Sequence, residues 1–304
     1  MAEPRKRQAT LDFTNGRLST KKPLFNPQAS DDPKRVPLED IARQMMKILP
    51  GILMTRPDVQ PKSQLCDSKN LRPLDPGDCP GLPSTDIHVV NADTLDTALD
   101  LQNNIVGSKS VCVLNMANAK SAGGGWKHGA LAQEEALCYR TSLSLTLKYK
   151  YYPLPEDGGI YSPRVLVIRE SMQNGHALMD LTMPSKLPYI SVASVAAVCQ
   201  PKLRADQNGQ EQYASAADAA LMETKMRVIL RIAATNGHRR IVLGAFGCGA
   251  FGNPREEVAK MWRRVLQERE FSGGWWEDVV FAVLDNDRRG NLKVFQHHLD
   301  GVSV

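Results

Sequence analysis

The 304-residue sequence lacks several features that would place a protein in a particular class. No stretch approaches the roughly 18 consecutive apolar residues of a membrane span, so we expect neither a transmembrane segment nor a membrane partner. The first residues have no apolar run after their basic cluster, which argues against a secretory signal peptide. The cysteines are few and none has the spacing of a metal site, so we expect reduced thiols and an intracellular protein. They are Cys66, Cys79, Cys112, Cys138, Cys199 and Cys248.

The sequence also has little excess charge outside its first residues. Lys and Arg number 38 against 33 Asp and Glu, which gives a net charge of +5. Residues 1–36 hold eight of the basic and four of the acidic residues, so they carry +4 and leave +1 for the rest of the chain. Any electrostatic contact with nucleic acid therefore belongs to this basic tail rather than to the remainder.

The tail, residues 1–36, has little apolar content and several Pro, Asn and Ser, and we expect it to be disordered. Arg5-Lys6-Arg7 and Lys21-Lys22 match the two halves of a nuclear import signal, and a merely solubilising tail explains them equally well. We expect a nuclear or cytoplasmic location, or both. The segment 8–13 resembles a truncated clamp-binding peptide with one aromatic residue instead of two, so a weak contact with nucleic acid or a clamp protein is a further hypothesis.

From residue 37 onward, segments with apolar residues at helical spacing alternate with short continuous apolar runs. Such runs are typical of buried parallel strands, and the alternation predicts an α/β fold in a single domain over 37–304. The predicted helices cover 38–53, 93–102, about 133–148, 215–234 and 254–267, the last with Asn253 as N-cap and Pro254 in the first position. The predicted strands cover 87–90, 110–115, 165–169, 189–193, 241–245 and 279–284, and 56–85 is a predicted surface loop.

The first loop that points to chemistry follows the strand 110–115 and contains Gly123-Gly124-Gly125. Three consecutive glycines remove all side chains from the backbone, so a ligand can approach the peptide N–H groups closely. A lone glycine triplet is more often a flexible turn. Here Gln133-Glu134-Glu135 follows seven residues later and opens a helix, and this combination is far more specific than either part.

The second loop, residues 247–252, matches G-x-G-x-x-G between a strand and a helix. A dinucleotide-binding fold requires an acidic residue about 20 positions later at the end of the next strand. Glu268 and Glu270 fall at the end of a helix instead, and only one further strand remains, which excludes that fold. Glycine-rich backbone at a helix N-terminus still suits a phosphate or pyrophosphate.

The adjacent carboxylates Glu134 and Glu135 have two explanations. Acidic residues in a first helical turn commonly stabilise the helix through its dipole. Alternatively, one carboxyl donates a proton to a leaving glycosidic oxygen and later accepts one from water. The dipole lowers a carboxyl pKa by less than about one unit, whereas burial raises it by up to about 3–5 units. The catalytic explanation therefore requires a dry pocket.

The glycine triplet followed by Gln-Glu-Glu resembles the pattern of poly(ADP-ribose) glycohydrolases. The surrounding segments 113–118 and 244–254 resemble the compact microbial-type branch found in bacteria and fungi, and the resemblance extends over roughly 38–295. It implies a macrodomain-like three-layer α/β/α fold with a mixed, mostly parallel central sheet. It also implies hydrolysis of the ribose–ribose bonds of ADP-ribose polymer, which releases ADP-ribose. The resemblance implies no metal and no cofactor for this reaction.

The resemblance implies a role for each matching residue. Glu135 is the expected acid/base, Glu134 holds ribose hydroxyls, and Gln133 orders the loop. Asn118 and Phe251 contact the distal ribose. The glycine triplet packs on the pyrophosphate and distal ribose, and the backbone N–H groups of the second loop wrap the pyrophosphate. These two sets are Gly123, Gly124 and Gly125, and Gly247, Cys248, Gly249 and Ala250.

The sequence departs from the family after the triplet, where members usually have an apolar pair such as Phe-Leu and this chain has Trp126-Lys127. Trp126 is interpreted as a partly buried anchor of the loop or, alternatively, as an aromatic wall beside the reacting ribose. Lys127 either meets a polymer phosphate or is simply solvated. Cys248 lies near a helix N-terminus, which lowers a thiol pKa, but we expect it only to be a small residue in a tight loop.

Three functions are compatible with these motifs. The resemblance favours a poly(ADP-ribose) glycohydrolase that acts as a monomer on ADP-ribosylated proteins, in the nucleus and in the response to DNA damage. A mono-ADP-ribosyl hydrolase uses the same pocket. A non-catalytic module that only binds ADP-ribose is the third, and the retention of both glutamates argues against it.

Overall fold

The computed structural model of the chain describes residues 37–103, 109–285 and 290–304. The predicted disorder of residues 1–36 lies outside the described residues. The α-helices are α1 (Leu38–Met54), α2 (Thr94–Asn103), α3 (Gln133–Arg140), α4 (Ala216–Thr235), α5 (Arg255–Leu266) and α6 (Asn291–Leu299). The strands are β1 (Gln64–Cys66), β2 (Ile87–Val90), β3 (Cys112–Met116), β4 (Gly159–Leu166), β5 (Tyr189–Val195), β6 (Leu203–Ala205), β7 (Glu211–Tyr213), β8 (Arg240–Leu243) and β9 (Asp278–Ala282).

Seven of these strands form one mixed sheet in the order β1-β4-β5-β3-β8-β9-β2. The five strands from β5 to β2 are parallel, β4 pairs antiparallel with β5, and β1 at the edge pairs antiparallel with β4. The register places Val113 of β3 beside Val192 of β5 and Val242 of β8. Because the carboxyl ends of parallel strands lie at one edge of a sheet, that edge is where a ligand is expected to bind.

The sheet lies between two helix layers because successive side chains of its strands point to opposite faces. Cys112 and Leu114 of β3 belong to the core that also contains the buried faces of α4, α5 and α6. Val113 between them belongs to a second core with α1, α2 and α3. The predicted three-layer α/β/α architecture with a mixed, mostly parallel sheet is confirmed.

The helix predicted over about 133–148 is wrong in its second half, because α3 ends at Arg140. Thr141 is extended, and its Oγ1 accepts a hydrogen bond of 3.1 Å from the backbone N–H of Leu143, which begins a 3₁₀ turn. The carbonyl of Arg140 accepts hydrogen bonds from the backbone of Ile168 and Arg169. Hydrogen bonding with this distant segment thus ends α3, although apolar residues continue at helical spacing in the sequence that follows it.

The predicted loop 56–85 contains β1, which pairs with β4 so that Leu65 lies opposite Ile160. β4 begins earlier than the predicted strand 165–169, and its register shifts between Ser162 and Val165. Pro163 lies inside this shift, as expected for a residue that has no N–H to donate to a strand ladder. Because Pro163 interrupts the strand pattern, the sequence predicted only the second half of β4.

The sequence prediction also omitted the β6–β7 hairpin and α6. α6 buries Phe295 and Leu299 against the core. His298 of α6 is partly buried, and its Nε2 lies 2.6 Å from a carboxylate oxygen of Glu256. None of the helices within the described ranges is long and apolar enough to cross a membrane.

Candidate active site

The two glycine-rich loops begin at the carboxyl ends of neighbouring strands. β3 ends at Met116, and the first loop passes through the glycine triplet before α3 begins at Gln133. The second loop connects β8, which ends at Leu243, to α5. Because β3 and β8 are adjacent in the sheet, the two loops lie at the same edge.

The glycine triplet leaves space for two of the protein's own carboxylates, which lie directly against its backbone. Gly123 and Gly124 have φ angles of +76° and +58°, in the region that favours glycine. A Cβ placed on Gly124 would overlap Oε1 of Glu135 and lie 3.2 Å from Oε2 of Glu134. The backbone N–H of Gly125 donates a hydrogen bond of 2.9 Å to Oε1 of Glu135. The absence of side chains therefore lets the loop close over both glutamates.

Gln133 fastens the start of α3 to the end of β3. Its Oε1 accepts a hydrogen bond of 2.9 Å from the backbone N–H of Met116, and its Nε2 donates one of 2.7 Å to the carbonyl of Leu114. The side chain continues the hydrogen bonding of the strand with an amide group. This contact agrees with the predicted ordering role and fixes where the following two glutamates start.

Glu134 and Glu135 are both buried, with 3% and 8% of their surfaces exposed. Both oxygens of Glu134 accept hydrogen bonds, one of 3.3 Å from Nδ2 of Asn115 and one of 2.8 Å from the backbone N–H of Asn118. Glu135 accepts its bond from Gly125 at Oε1, and within the described part of the chain no donor reaches its Oε2. Glu134 is thus held by the protein, whereas Glu135 keeps one oxygen for another molecule.

Burial, with a smaller effect from the nearby charge of Glu135, raises the pKa of Glu134 to about 8 against the lowering effect of its hydrogen bonds. Desolvation disfavours the charged form of a carboxyl group, and a neighbouring like charge acts in the same direction. At neutral pH the buried pair therefore retains a proton on Glu134. The burial of both carboxyls agrees with the catalytic explanation, although the raised pKa falls on the residue that the resemblance did not assign as the acid.

The two asparagines that contact Glu134 have different positions. Asn115, which the sequence prediction missed as a site residue, is fully buried, and its Nδ2 also donates to Oγ of Ser194 at 3.0 Å. Its Oδ1 has no partner among the described residues. A polar residue within the apolar run 110–115 was the available signal. Asn118 uses its Oδ1 to accept backbone N–H groups of the following turn, and no described acceptor meets its Nδ2.

Asn253 is not the N-cap of α5, so that prediction is wrong. The helix begins at Arg255 with Pro254 at the cap position. The Asn253 side chain instead donates to the carbonyls of Val198 (2.7 Å) and Gly247 (3.0 Å) and accepts from the hydroxyl of Tyr213 at 2.7 Å. These three bonds hold the second loop in its shape.

The second loop presents fewer backbone donors than predicted. The N–H of Cys248 already donates to the carbonyl of Ala245 at 3.0 Å, so it does not wrap a pyrophosphate. The N–H groups of Gly249 and Ala250 have no acceptor within the described ranges, and both residues are exposed. Burial raises the pKa of the Cys248 thiol, which overrides the lowering expected of a helix N-terminus and agrees with a purely structural role.

A cavity of about 550 Å³ adjoins the two loops. That volume lies within the roughly 300–1,000 Å³ of small-molecule sites. Five predicted site residues line it: Gln133, Gly247, Gly249, Ala250 and Phe251. The other predicted site residues do not form its wall: Asn118, Gly123, Gly124, Gly125, Glu134, Glu135 and Cys248.

The sequence prediction missed the opposite wall of the cavity, which includes Arg140, Asp93 and His176. Arg140 is 1% exposed, and its Nη1 lies 2.6 Å from Oδ1 of Asp93. The same Asp93 oxygen accepts the backbone N–H groups of Leu95 and Asp96 and so caps α2. Asp93 was visible only as a residue near a helix start, and nothing in the sequence pairs it with Arg140.

Trp126 is the buried anchor of the glycine loop and not a wall of the cavity. It is 2% exposed, and its ring meets that of Tyr139 edge to face at a centroid distance of 6.2 Å. Tyr139 in turn donates its hydroxyl to the carbonyl of Ala130 at 2.8 Å. Lys127 and His128 are exposed. Among the described residues, no three His, Cys, Asp or Glu side chains form a group that could hold a metal ion.

Comparison with known proteins agrees with this geometry. The family model described as "Microbial-type PARG, catalytic domain" matches residues 62–170, a segment that includes the glycine triplet and both glutamates. No curated protein matches the chain.

Several solved structures have a similar fold. Poly(ADP-ribose) glycohydrolase (PARG) from Thermomonospora curvata is 24% identical, with a TM-score of 0.68 over 86% of this chain and 99% of that one. The same enzyme bound to the inhibitor ADP-HPD is 25% identical, with a TM-score of 0.66 over 86% and 98%. PARG from Deinococcus radiodurans in complex with ADP-ribose is 26% identical, with a TM-score of 0.62 over 82% and 97%. The resemblance to microbial-type enzymes and the macrodomain-like fold are thereby confirmed.

Proposed function

We propose that this protein is a poly(ADP-ribose) glycohydrolase, which hydrolyses ribose–ribose O-glycosidic bonds of ADP-ribose polymer and releases ADP-ribose. The observation that carries the proposal is the buried pair of Glu134 and Glu135 under the glycine loop, with one oxygen of Glu135 left without a protein donor. The matching family model and the structures with bound ADP-ribose or inhibitor support it.

Glu135 is the general acid and base of the proposed reaction. Its Oε2 protonates the oxygen of the departing ribose while positive charge develops at the anomeric carbon, and the resulting carboxylate then takes a proton from the attacking water. The Gly125 N–H holds the other oxygen in place. Glu134, kept largely neutral at pH 7 by its raised pKa, holds ribose hydroxyls beside the scissile bond.

The second loop binds the diphosphate in this proposal. The exposed N–H groups of Gly249 and Ala250 point to an anion site that needs no lysine or arginine side chain. Phe251, on the cavity wall, packs against the distal ribose. The two negative charges of the bound diphosphate also stabilise the positive charge of an oxocarbenium-like transition state at the reacting ribose.

The direct test is release of free ADP-ribose from an automodified polymerase. Wild-type protein should release it, and Glu135→Gln should lose activity by about 10²-fold or more while it still binds ADP-ribose. Glu211→Gln, which changes an exposed carboxylate on β7, is the matched control and should remain active. A mono-ADP-ribosylated peptide tested in parallel distinguishes the two hydrolase functions. An inactive wild type that nevertheless binds ADP-ribose would identify a binding module instead.

We also propose a monomeric protein that reaches nuclear polymer formed after DNA damage by means of its basic tail. The two basic clusters in residues 1–36 support this. A fluorescent protein fused to residues 1–36 should accumulate in the nucleus, and alanine at Arg5, Lys6 and Arg7 should abolish the accumulation. If the fusion with the unmodified residues 1–36 were instead spread evenly through the cell, the basic clusters would have only a solubilising role. Analytical ultracentrifugation of the full chain tests the oligomeric state.

A further inference from the structure

A group of exposed side chains next to the glycine loop is not used by the mechanism above. It consists of Lys127, Lys148, Tyr149 and Lys150, and we call it the lysine–tyrosine patch. Tyr149 is 76% exposed, which is unusual for a large aromatic side chain. Its hydroxyl lies 3.4 Å from Nζ of Lys127, so residues far apart in the sequence meet here. Within the described part of the chain, none of the three lysines has a carboxylate partner.

The patch is held rigidly beside the carboxylates. Lys127 lies in a 3₁₀ turn that is fixed by the buried Trp126 on one side and by a hydrogen bond from His128 N–H to the carbonyl of Gly125 on the other. Gly125 is the residue that donates to Glu135. Two residues of chain span at most about 7 Å, so the backbone of Lys127 is within that distance of a loop residue that touches the reacting group.

The segment that carries Tyr149 is also fastened to the site. The Leu154 N–H donates to the carbonyl of Ala119 in the glycine loop at 2.8 Å, and the hydroxyl of Tyr151 donates to the carbonyl of Ser63 at 3.0 Å. None of the patch residues belongs to the cavity wall. The molecule therefore has a cavity that suits one ADP-ribose unit and, separately, a basic and aromatic surface along the outside of the same loop.

We propose that the lysine–tyrosine patch binds the ADP-ribose unit that adjoins the scissile bond on the polymer side. The proposal rests on the proposed function. Each polymer unit carries a diphosphate and an adenine. Among the described residues, the patch offers three ammonium groups that have no carboxylate partner and one exposed aromatic ring. Lysines attract phosphate charge, and aromatic rings stack on bases without sequence preference. The cavity alone holds the terminal unit, and the patch distinguishes polymer from free ADP-ribose.

The first experiment measures binding without cleavage. Glu135→Gln protein is titrated with purified polymer of about ten units and, separately, with ADP-ribose. We expect polymer to bind at least about tenfold more tightly than ADP-ribose. Adding Lys127→Ala and Tyr149→Ala should remove most of this difference and leave ADP-ribose affinity unchanged. The variant that combines Lys186→Ala and Lys260→Ala removes two exposed charges elsewhere and should bind as its parent does.

The second experiment separates charge from stacking in the active enzyme. Lys127→Arg and Tyr149→Phe should retain KM for polymer, whereas Lys127→Ala should raise KM and weaken its dependence on salt. Equal affinity for polymer and ADP-ribose in the Glu135→Gln protein would overturn the proposal. Competition by single-stranded DNA of matched length as effective as that by polymer would also overturn it. Polymer binding by a wild type that cleaves nothing would contradict the proposed function and leave the patch supported.

Discussion

The two glycine-rich loops of this protein look alike in sequence, but Gly124 in the first loop and Gly249 in the second have opposite surroundings in the structure. In the first loop, Gly124 is in contact with both buried carboxylates, so glycine is needed to admit the protein's own side chains. In the second loop, a Cβ on Gly249 would meet nothing within 4 Å, so glycine there leaves an N–H open to solvent. A run of glycines thus indicates close approach, but only the fold shows whether a side chain or a ligand approaches.

The largest effect is expected from Gly124→Ala in the first loop. The added Cβ would overlap Glu135, and alanine is strained at a φ of +58°. Displacement of the catalytic carboxyl by about 1 Å should lower kcat/KM for polymer by about 10²-fold or more. Steady-state kinetics measure this, and circular dichroism checks the fold. Retention of activity would mean that the glycine serves the ligand and not the carboxylate.

Glu134→Gln tests the raised pKa of the buried carboxyl under the first loop, because that pKa makes the stability of the protein depend on pH. A carboxyl whose folded pKa is raised from 4.5 to about 8 favours folding below pH 4.5, and this contribution is lost as pH rises through about 8. The neutral amide avoids that loss, so its stability advantage over wild type should increase by about 3 kcal/mol between pH 5 and pH 8. Denaturant melts at the two pH values measure the difference. Glu211→Gln should show no such trend, and a flat profile for Glu134→Gln would refute the raised pKa.

Asn253→Ala tests whether the second loop depends on its three side-chain hydrogen bonds. Loss of the Asn253 side chain leaves the buried Tyr213 hydroxyl and the carbonyl of Val198 without their partner, which should cost about 2–3 kcal/mol of stability. The carbonyl of Gly247 keeps the hydrogen bond from the backbone N–H of residue 253. We expect ADP-ribose affinity to fall by about tenfold, because the Gly249 and Ala250 donors lose their fixed orientation. Thermal melts and calorimetry measure both. A loss of stability without a loss of affinity would show that the loop is not a binding element.

Gly249→Ala should have the smallest effect. The new methyl group meets open space, and the N–H donor is retained, so activity should change by less than about threefold and the melting temperature by about 1 °C or less. The contrast with Gly124→Ala uses the same chemical change in both loops. A large loss of activity in Gly249→Ala would instead indicate that the ligand contacts the Cα of Gly249. Glycine would then be needed for close approach in both loops.

The sequence predicted the layers of the fold well because burial on both faces of a parallel sheet leaves continuous apolar runs. Val113, Val242 and Val280 all lie in such runs and all are buried. The prediction from sequence failed where contacts with distant segments determine whether a helix ends or a strand forms. The end of α3 depends on pairing with residues 168 and 169, and β1 forms only because β4 lies next to it.

The site was predictable to the extent that a function needs consecutive residues. Gln133, Glu134 and Glu135 occupy one turn, and the structure joins all three to β3 or the glycine loop. The Arg140–Asp93 wall joins residues 47 positions apart and has no local pattern. The internal bond of Cys248 N–H likewise follows from the path of the loop, which the residue types alone do not determine.

The burial of Trp126 gives the protein an optical reporter of its own active site. A Cβ placed on Gly123 would lie 2.8 Å from Cδ1 of the indole, so the ring of Trp126 packs directly against the glycine loop. The other three tryptophans, Trp262, Trp275 and Trp276, lie in the core on the far side of the sheet. A ligand that shifts the glycine loop therefore changes the emission of one fluorophore in four. Subtracting the spectrum of Trp126→Phe isolates that signal, so occupancy of the site can be followed in real time without a label.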